Sequence, residues 1–240
     1  MSYQNGPPKI VTDGLVLMLD PIISKSYPGS GNIVYDLSGR GNNGTINGAT
    51  YWSDGRGSFN FDGVNDYIST TPGEVFYQYN TELTTCAWFK RNGTITGGSG
   101  GGQSTADSDN WSLSNVWLFH GNPSNTIGFY VNAVNNGSYY YRAINSPILD
   151  DRTWYFICGS CNSTDLKLYI NGILYGTATG ITTGNIVNNS NSVVQYGKDP
   201  RYATNRFFNG QISANYLYNR ELTASEILHN YNATKYRFGL

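Results

Sequence analysis

The stretch from Trp154 to Gly176, WYFICGSCNSTDLKLYINGILYG, constrains the fold more than any other part of the chain, because three strand signals follow one another across two turns. Trp154, Phe156 and Cys158 alternate with Tyr155, Ile157 and Gly159, the two-residue period of a pleated strand. The polar cluster Asn162-Ser163-Thr164-Asp165 then reverses the chain into Leu166, Leu168 and Ile170. Asn171-Gly172 comes next, a dipeptide that tolerates positive φ at both central positions of a hairpin, and Ile173 to Tyr175 runs back along the preceding strand. The segment predicts an antiparallel meander of three strands.

The rest of the chain repeats this rhythm. Charged residues are 13% of the 240, and the abundance of Tyr and Thr favours pleated, half-buried strands over helices. Residues 10–20, IVTDGLVLMLD, predict a first strand, and Thr84 to Lys90 a central one whose two faces meet different surroundings. Val116 to Phe119, Thr126 to Val131, Ser138 to Ala143, Ser192 to Gly197 and Phe207 to Asn219 predict further strands. The Gly/Ser/Thr tract from Gly97 to Asp109 is too poor in apolar groups to pack and reads as a surface loop. Thr223 and Glu226 form a capping box, and Leu222 with Ile227 a hydrophobic staple, so a helix begins at Ala224.

The expected fold is therefore all-β, a two-sheet antiparallel jelly-roll sandwich with one short C-terminal helix. Sandwiches commonly reach roughly 200 to 250 residues as one unit. The domain is placed at residues 13–232, between an N-terminal arm (1–12) and a C-terminal tail (233–240). Residues 1–9 and 235–240 lack the alternation of a core strand, so both are expected to be dispensable for stability and to order against a neighbour.

Fifteen basic and sixteen acidic residues leave a net charge of -1, which offers no footprint for nucleic acid. No stretch approaches the ~20 apolar residues that span a bilayer, and Met1 to Pro8 has neither the basic nor the apolar region of a signal peptide. Neither membrane insertion nor a signal peptide is expected. Three cysteines, Cys86, Cys158 and Cys161, make a poor disulfide framework and are expected as free thiols. Cys158-Gly-Ser-Cys161 matches a metal or redox spacing, but only Cys86, His120 and His229 remain to complete a zinc site, and a strand-end coincidence explains the pair more simply.

Several motifs carry a family resemblance. The Trp154 meander ending in Leu168-Tyr169-Ile170-Asn171-Gly172 is similar to the central signature of laminin-G-like domains in the concanavalin A-like lectin/glucanase superfamily. Tyr27-Pro28-Gly29-Ser30-Gly31, Tyr35-Asp36-Leu37-Ser38-Gly39 and Gly41-Asn42-Asn43-Gly44-Thr45 resemble the N-terminal half of such modules in tailed-phage virion proteins. Gly57 to Ile68 resembles the next motif, and Phe208-x-Gly210-x-Ile212, Tyr218-Asn219-Arg220-x-Leu222 and the helix after Thr223 resemble the closing one. The tail from Asn230 to Leu240 also resembles phage copies. The resemblance covers residues 13–240 and is weakest from Phe76 to Asn145.

Three readings follow, since one fold hosts many functions. The glucanase branch implies two carboxyls roughly 5 Å apart. Glu74 and Glu82 fall in a loop region, Glu221 and Glu226 lie in or beside the helix, and Asp107 and Asp109 sit in the Gly/Ser tract. His120 and His229 offer no Ser-His-Asp set, so no catalytic residue is assigned and an enzyme is not expected. The lectin reading names Tyr130, Tyr140 and Arg142 as carbohydrate-binding residues, pointing outward if Ile127, Phe129 and Val131 face the core. Tyrosine on a solvent-facing strand is also ordinary β-propensity. The resemblance further implies calcium, for which Asp62, Asn65 and Asp66 supply oxygen donors, although Asp62-Gly63 and Asn65-Asp66 equally read as turns; no other cofactor is expected. The phage resemblance implies a virion structural protein, as capsid decoration or tail-fibre module, assembled in the host cytoplasm with other virion proteins of capsid or tail and a glycan as partners. The alternative is a free carbohydrate-binding lectin.

Overall fold

The computed structural model describes residues 9–54, 57–70, 82–93, 101–106, 117–121, 125–135, 138–180, 193–198 and 207–240. Strands β1 (Leu15–Leu19), β2 (Ile33–Val34), β3 (Gly44–Asn47), β4 (Thr50–Trp52), β5 (Ser58–Asp62) and β6 (Tyr67–Thr70) form the first third. Next come β7 (Leu83–Arg91), β8 (Gly101–Ala106), β9 (Trp117–Gly121), β10 (Ile127–Asn135) and β11 (Ser138–Asn145). The central meander is β12 (Tyr155–Cys161), β13 (Asp165–Ile170) and β14 (Ile173–Thr179), followed by β15 (Val193–Tyr196), β16 (Asn209–Tyr218) and helix α1 (Ala224–Thr234). The first sheet runs β14-β13-β12-β7-β16-β5-β4, with β1 also paired to β16. The second runs β11-β10-β9-β8-β15-β6-β3-β2. The pairings are antiparallel, and the sandwich carries one α-helix among the described residues, at its C-terminal end, as the sequence predicts.

The core between the sheets takes Leu17, Phe61, Ile157, Leu166 and Leu168 from the first and Ile68, Phe129, Val131, Val194 and Tyr196 from the second. Gly159 permits the close approach there, since a Cβ at that position would come within 2.4 Å of the Phe129 ring. The hairpin at Asn171-Gly172 has φ of 50° and 79°, the left-handed values its residues favour. Asp36, in a motif of the resemblance, is a structural hub whose carboxylate accepts the amides of Met18, Ser38 and Asn42.

A second apolar layer covers the outer face of the first sheet. Trp88 of β7 is fully buried, stacks on Phe238 with ring centroids 4.1 Å apart and on Tyr231 at 5.8 Å, and donates its indole N–H to Thr234 Oγ1 at 2.8 Å. Phe238 lies in a 3-10 turn, Lys235–Phe238, that continues α1. Residues 235–240 are thus not a free tail, and the expectation that they wait for a neighbour is corrected: one aromatic side chain, without any strand periodicity, is enough to bind them to the sheet. The same holds for residues 9–12 of the expected arm. Ile10 and Val11 pack on this layer, the Val11 amide donates to Asn230 Oδ1 at 2.8 Å, and the Tyr218 hydroxyl donates to the Val11 carbonyl at 3.0 Å. Residues 1–8 lie outside the described residues.

Two further expectations are corrected. Cys86 and Cys158 are register partners on β7 and β12 and form a disulfide across 72 residues, while Cys161 remains free and buried. The Cys158–Cys161 spacing is odd, which on a strand sends the two to opposite faces. Cys158 accordingly belongs to the outer layer and Cys161 to the inter-sheet core, where burial raises its thiol pKa to about 12. Within the Gly/Ser/Thr tract, Gly101–Ala106 is a strand, paired to β9 and β15. Ladder bonds come from the backbone, so a strand flanked on both sides needs little apolar content of its own.

The cap of α1 forms as predicted: Thr223 Oγ1 accepts from the Glu226 amide, and the Glu226 carboxylate accepts from the Thr223 amide. The Arg220 guanidinium, hydrogen-bonded at 2.6 Å, is the main reason the Glu226 carboxyl is lowered to about 2, with the Thr223 bonds adding to it and burial opposing.

Replacing Phe238 with Ala should cost about 3–5 kcal/mol in urea unfolding, as for other buried aromatic truncations, whereas Leu240→Ala, at an exposed site, should change stability by less than about 0.5 kcal/mol. Equal, small effects would show that the C-terminal turn is not packed on the sheet. Because the folded pKa of Glu226 lies below the unfolded value, its contribution is complete above about pH 4.5 and is lost as pH falls through about 2. The stability gap between the parent and Glu226→Gln should therefore be constant from pH 5 to 7 and shrink towards pH 2; a gap that persists at pH 2 would reject the ion pair as its source.

Candidate functional site

The residues named for sugar binding do not share one face. Tyr130 stands opposite Ala143, and Arg142 stands opposite Val131, whose side chain is in the core. Directly paired residues point to the same side of a sheet, so Arg142 rises on the side facing the other sheet, at an exposed edge where its guanidinium reaches the Gly180 carbonyl at 3.5 Å. Tyr130 lies on the opposite side and donates its hydroxyl to Asn145 Oδ1 at 3.2 Å. Its ring crosses Gly128, where a Cβ would come within 2.1 Å of it. Tyr140 pairs with Ala133 along the backbone, and its side chain lies outside the described residues.

Asp62, Asn65 and Asp66 do come together, as a turn. Asp62 Oδ1 accepts the amides of Val64 and Asn65 at 2.7 and 3.3 Å, and Asp66 Oδ2 accepts the Asp62 amide at 3.0 Å. Asp66 is buried, and burial raises its pKa despite that hydrogen bond. These carboxylates are spent on backbone amides, which is turn chemistry. Among the described residues no cluster of three or more His, Cys, Asp or Glu side chains is arranged to hold a metal.

The described glutamates have structural work. Glu221 pairs with Lys167 at 2.6 Å and accepts from Asn162 at 2.7 Å; Glu82 accepts the Glu221 amide; Glu226 caps the helix. His229 Nε2 lies 2.7 Å from the Lys9 carbonyl, which ties the helix to the N-terminal segment. Glu74, Asp107 and Asp109 lie outside the described residues, as does the side chain of His120.

A cleft of about 690 Å³ opens on the outer side of the first sheet, beside the C-terminal turn. Its volume falls within the roughly 300–1,000 Å³ of small-ligand sites. Met18 and Tyr216 come from the adjacent strands β1 and β16, Ile22 and Ile23 from the loop after β1, Lys9 and Ile10 from the N-terminal segment, and Tyr236 and Arg237 from the C-terminal turn. In its floor Arg237 grips Asp20 through two parallel hydrogen bonds, Nη1 to Oδ1 at 2.7 Å and Nη2 to Oδ2 at 2.9 Å, with both side chains almost wholly buried. Burial works against the Arg237 charge, but the Asp20 carboxylate more than offsets it, and the guanidinium pKa is raised. The buried Tyr216 hydroxyl and Arg237 Nε have no hydrogen-bond partner among the described residues. Burial, followed by the Asp20 charge, raises the phenol well above its ordinary pKa, against the pull of Arg237, so Tyr216 remains a donor. Tyr236 is 60% exposed and presents its ring to solvent.

The arrangement is one for binding. Asp20 and Arg237 saturate each other's charge, and the remaining lining is aromatic, aliphatic or hydroxyl, with Lys9 supplying an exposed cation. Sequence reasoning missed this site. Its signals were present separately, in the Leu19-Asp20 end of the first strand and the Arg237-Phe238 of the tail, but nothing in the sequence joined two residues 217 apart.

Comparison with known proteins bears on the fold. Residues 62–228 match a laminin-G model described as the concanavalin A-like lectin/glucanases superfamily. No curated protein matches the chain. Among solved structures, the binding domain of botulinum neurotoxin DC in complex with rat synaptotagmin II aligns with a TM-score of 0.70 and 17% identity, over 94% of this chain and 53% of that one. The botulinum neurotoxin serotype G binding domain aligns at 0.69 and 18%, over 90% and 50%. A complex of the neurotoxin DC binding domain with SialylT aligns at 0.67 and 18%, over 94% and 52%. At these identities the likeness is one of fold, and the chain spans about half the length of the structures it matches. Since the laminin-G model accounts for well over half of its residues, the chain belongs to the concanavalin A-like lectin/glucanases superfamily.

Proposed function

We propose that the chain is a carbohydrate-binding module for host or cell surfaces, and that it holds its ligand in the cleft between β1, β16 and the C-terminal turn. The cleft carries this reading. A sugar ring offers an apolar face and a rim of hydroxyls; Tyr236 supplies an exposed ring for the face, Lys9 and Thr12 supply exposed polar groups beside it, and the buried Asp20–Arg237 pair holds the turn that carries Tyr236. The structural neighbours lend support, since they include neurotoxin binding domains in complex with SialylT and with rat synaptotagmin II, and a neurotoxin type C whose cell entry depends on interaction with two ganglioside molecules. The fold's association with lectins agrees with it.

The finer reading is a virion structural protein, as capsid decoration or tail-fibre module, carrying this binding site on a phage particle. The resemblance of the Tyr27 to Thr45 motifs and of the Asn230 to Leu240 segment to phage copies supports it. Other virion proteins are then its partners and the virion its location. The binding reading does not depend on this one, because a free lectin would use the same cleft.

A glycan array tests the site. Tyr236→Ala should leave folding intact, because the ring is exposed, and should weaken the best glycan roughly 3- to 10-fold, the equivalent of about 0.5–1.5 kcal/mol. Tyr130→Ala, on the other sheet, should leave binding unchanged. The reverse pattern would move the site to the strand face, and no binding by the parent would reject the lectin reading. Mass spectrometry of purified particles tests the virion role, which absence of the chain would remove.

A further inference from the structure

The outer face of the first sheet continues past the cleft. β7 occupies one flank of β16 along almost its whole length, and the other flank is shared end to end by two strands, β5 against residues 209–212 and β1 against residues 215–218. The loop that leaves β1 and gives Ile22 and Ile23 to the cleft therefore meets the start of β5. Two contacts close that junction. Gly57 lies so near the loop that a Cβ there would come within 2.5 Å of the Ile22 backbone, and the Tyr51 hydroxyl of β4 donates to the Pro21 carbonyl at 3.3 Å. Tyr51 and its cross-strand partner Phe59 turn towards the core between the sheets, so Trp52 and its partner Ser58 turn to the outer face, the side on which Met18 and Tyr216 line the cleft. Trp52 is 52% exposed, and exposed Thr50 with half-buried Asn60 forms the next pair on that face.

We infer that the ligand of the cleft is an oligosaccharide chain, one unit of which stacks on Tyr236 while a later unit passes over Ile22 and stacks on Trp52. The inference rests on the cleft reading above and names the class of glycan that the cleft takes. Two strand spacings, roughly 10 Å, separate β16 from β4, a span longer than one sugar ring, so a single terminal sugar cannot use both ends. The side chains around Trp52 select the occupant. An indole face suits the apolar side of a sugar, and Thr50 and Asn60 together offer donors and acceptors for its hydroxyls. An apolar protein surface laid on the same strip would take those two polar groups out of water and return no hydrogen bonds.

A glycan array printed with matched pairs, each glycan as its terminal disaccharide and as the hexasaccharide chain that bears it, tests this on the full chain. The parent should bind the hexasaccharide of its preferred pair more tightly than the disaccharide. Trp52→Ala, at an exposed site whose loss should leave the melting temperature unchanged, should weaken the hexasaccharide roughly 3- to 10-fold and the disaccharide less than about 2-fold. Trp52→Phe, which keeps a ring, should retain most of the gain, and Tyr236→Ala should weaken both lengths. An affinity independent of chain length, or a Trp52→Ala effect that is nil or equal on the two lengths, would overturn the inference and leave the cleft reading in place. No binding to any pair would overturn both together. A parent dimer dissociated by Trp52→Lys would assign the strip to a second copy of the chain and overturn the inference equally.

Discussion

The packing of Trp88 against Phe238, Tyr231 and Thr234 is the contact on which the rest of the structure depends. A sheet in a sandwich ordinarily buries one face. Here β7 and β16 are buried at almost every position, because α1 and the turn after it roof the outer side while the second sheet covers the inner. Fixing Phe238 also fixes its neighbours: Arg237 reaches Asp20, Tyr236 stands at the edge of the cleft, and the helix receives Val11 through Asn230. The candidate site is therefore a by-product of the roof, and its geometry is only as rigid as that aromatic stack.

Local signals were legible in the sequence because local chemistry decides them. Asn171-Gly172 needs no tertiary information to turn, and Thr223 with Glu226 caps a helix wherever the chain places it. What was not legible depends on register between distant segments. Cys86 meets Cys158 because β7 and β12 are neighbours in the register that sets the two opposite each other, and a shift by one residue would have parted them. The same principle undid the expected sugar face. Tyr130 and Arg142 alternate correctly within their own strands, but the observed register sets Arg142 across from Val131 and so on the other side of the sheet. Phe238 escaped notice for a different reason, since a single anchoring ring leaves no periodicity to read.

The same limits bear on function. Membership of a lectin and glucanase superfamily describes a scaffold, and the chemistry has to be found in particular side chains. Among the described residues the acidic groups that invite a catalytic or calcium reading are committed to backbone amides and ion pairs, in the Asp62–Asp66 turn, at Glu221 and at Glu226. The carboxylate that does reach a cleft, Asp20, arrives with a guanidinium already bound to both of its oxygens. A ligand held there, as proposed, would be selected by shape and hydrogen bonding more than by charge.

The disulfide between Cys86 and Cys158 lies under this roof, and neither cysteine is accessible in the folded chain. Thiol–disulfide exchange proceeds by direct attack of a thiolate on sulfur, so access governs its rate as much as redox poise does. Bond formation therefore belongs to a stage at which α1 is undocked, and once the helix settles, a reductant in the surroundings must wait for the same opening. The Trp88 stack thus acts as a kinetic latch on a covalent bond, and exchange between that bond and its surroundings runs no faster than the roof opens.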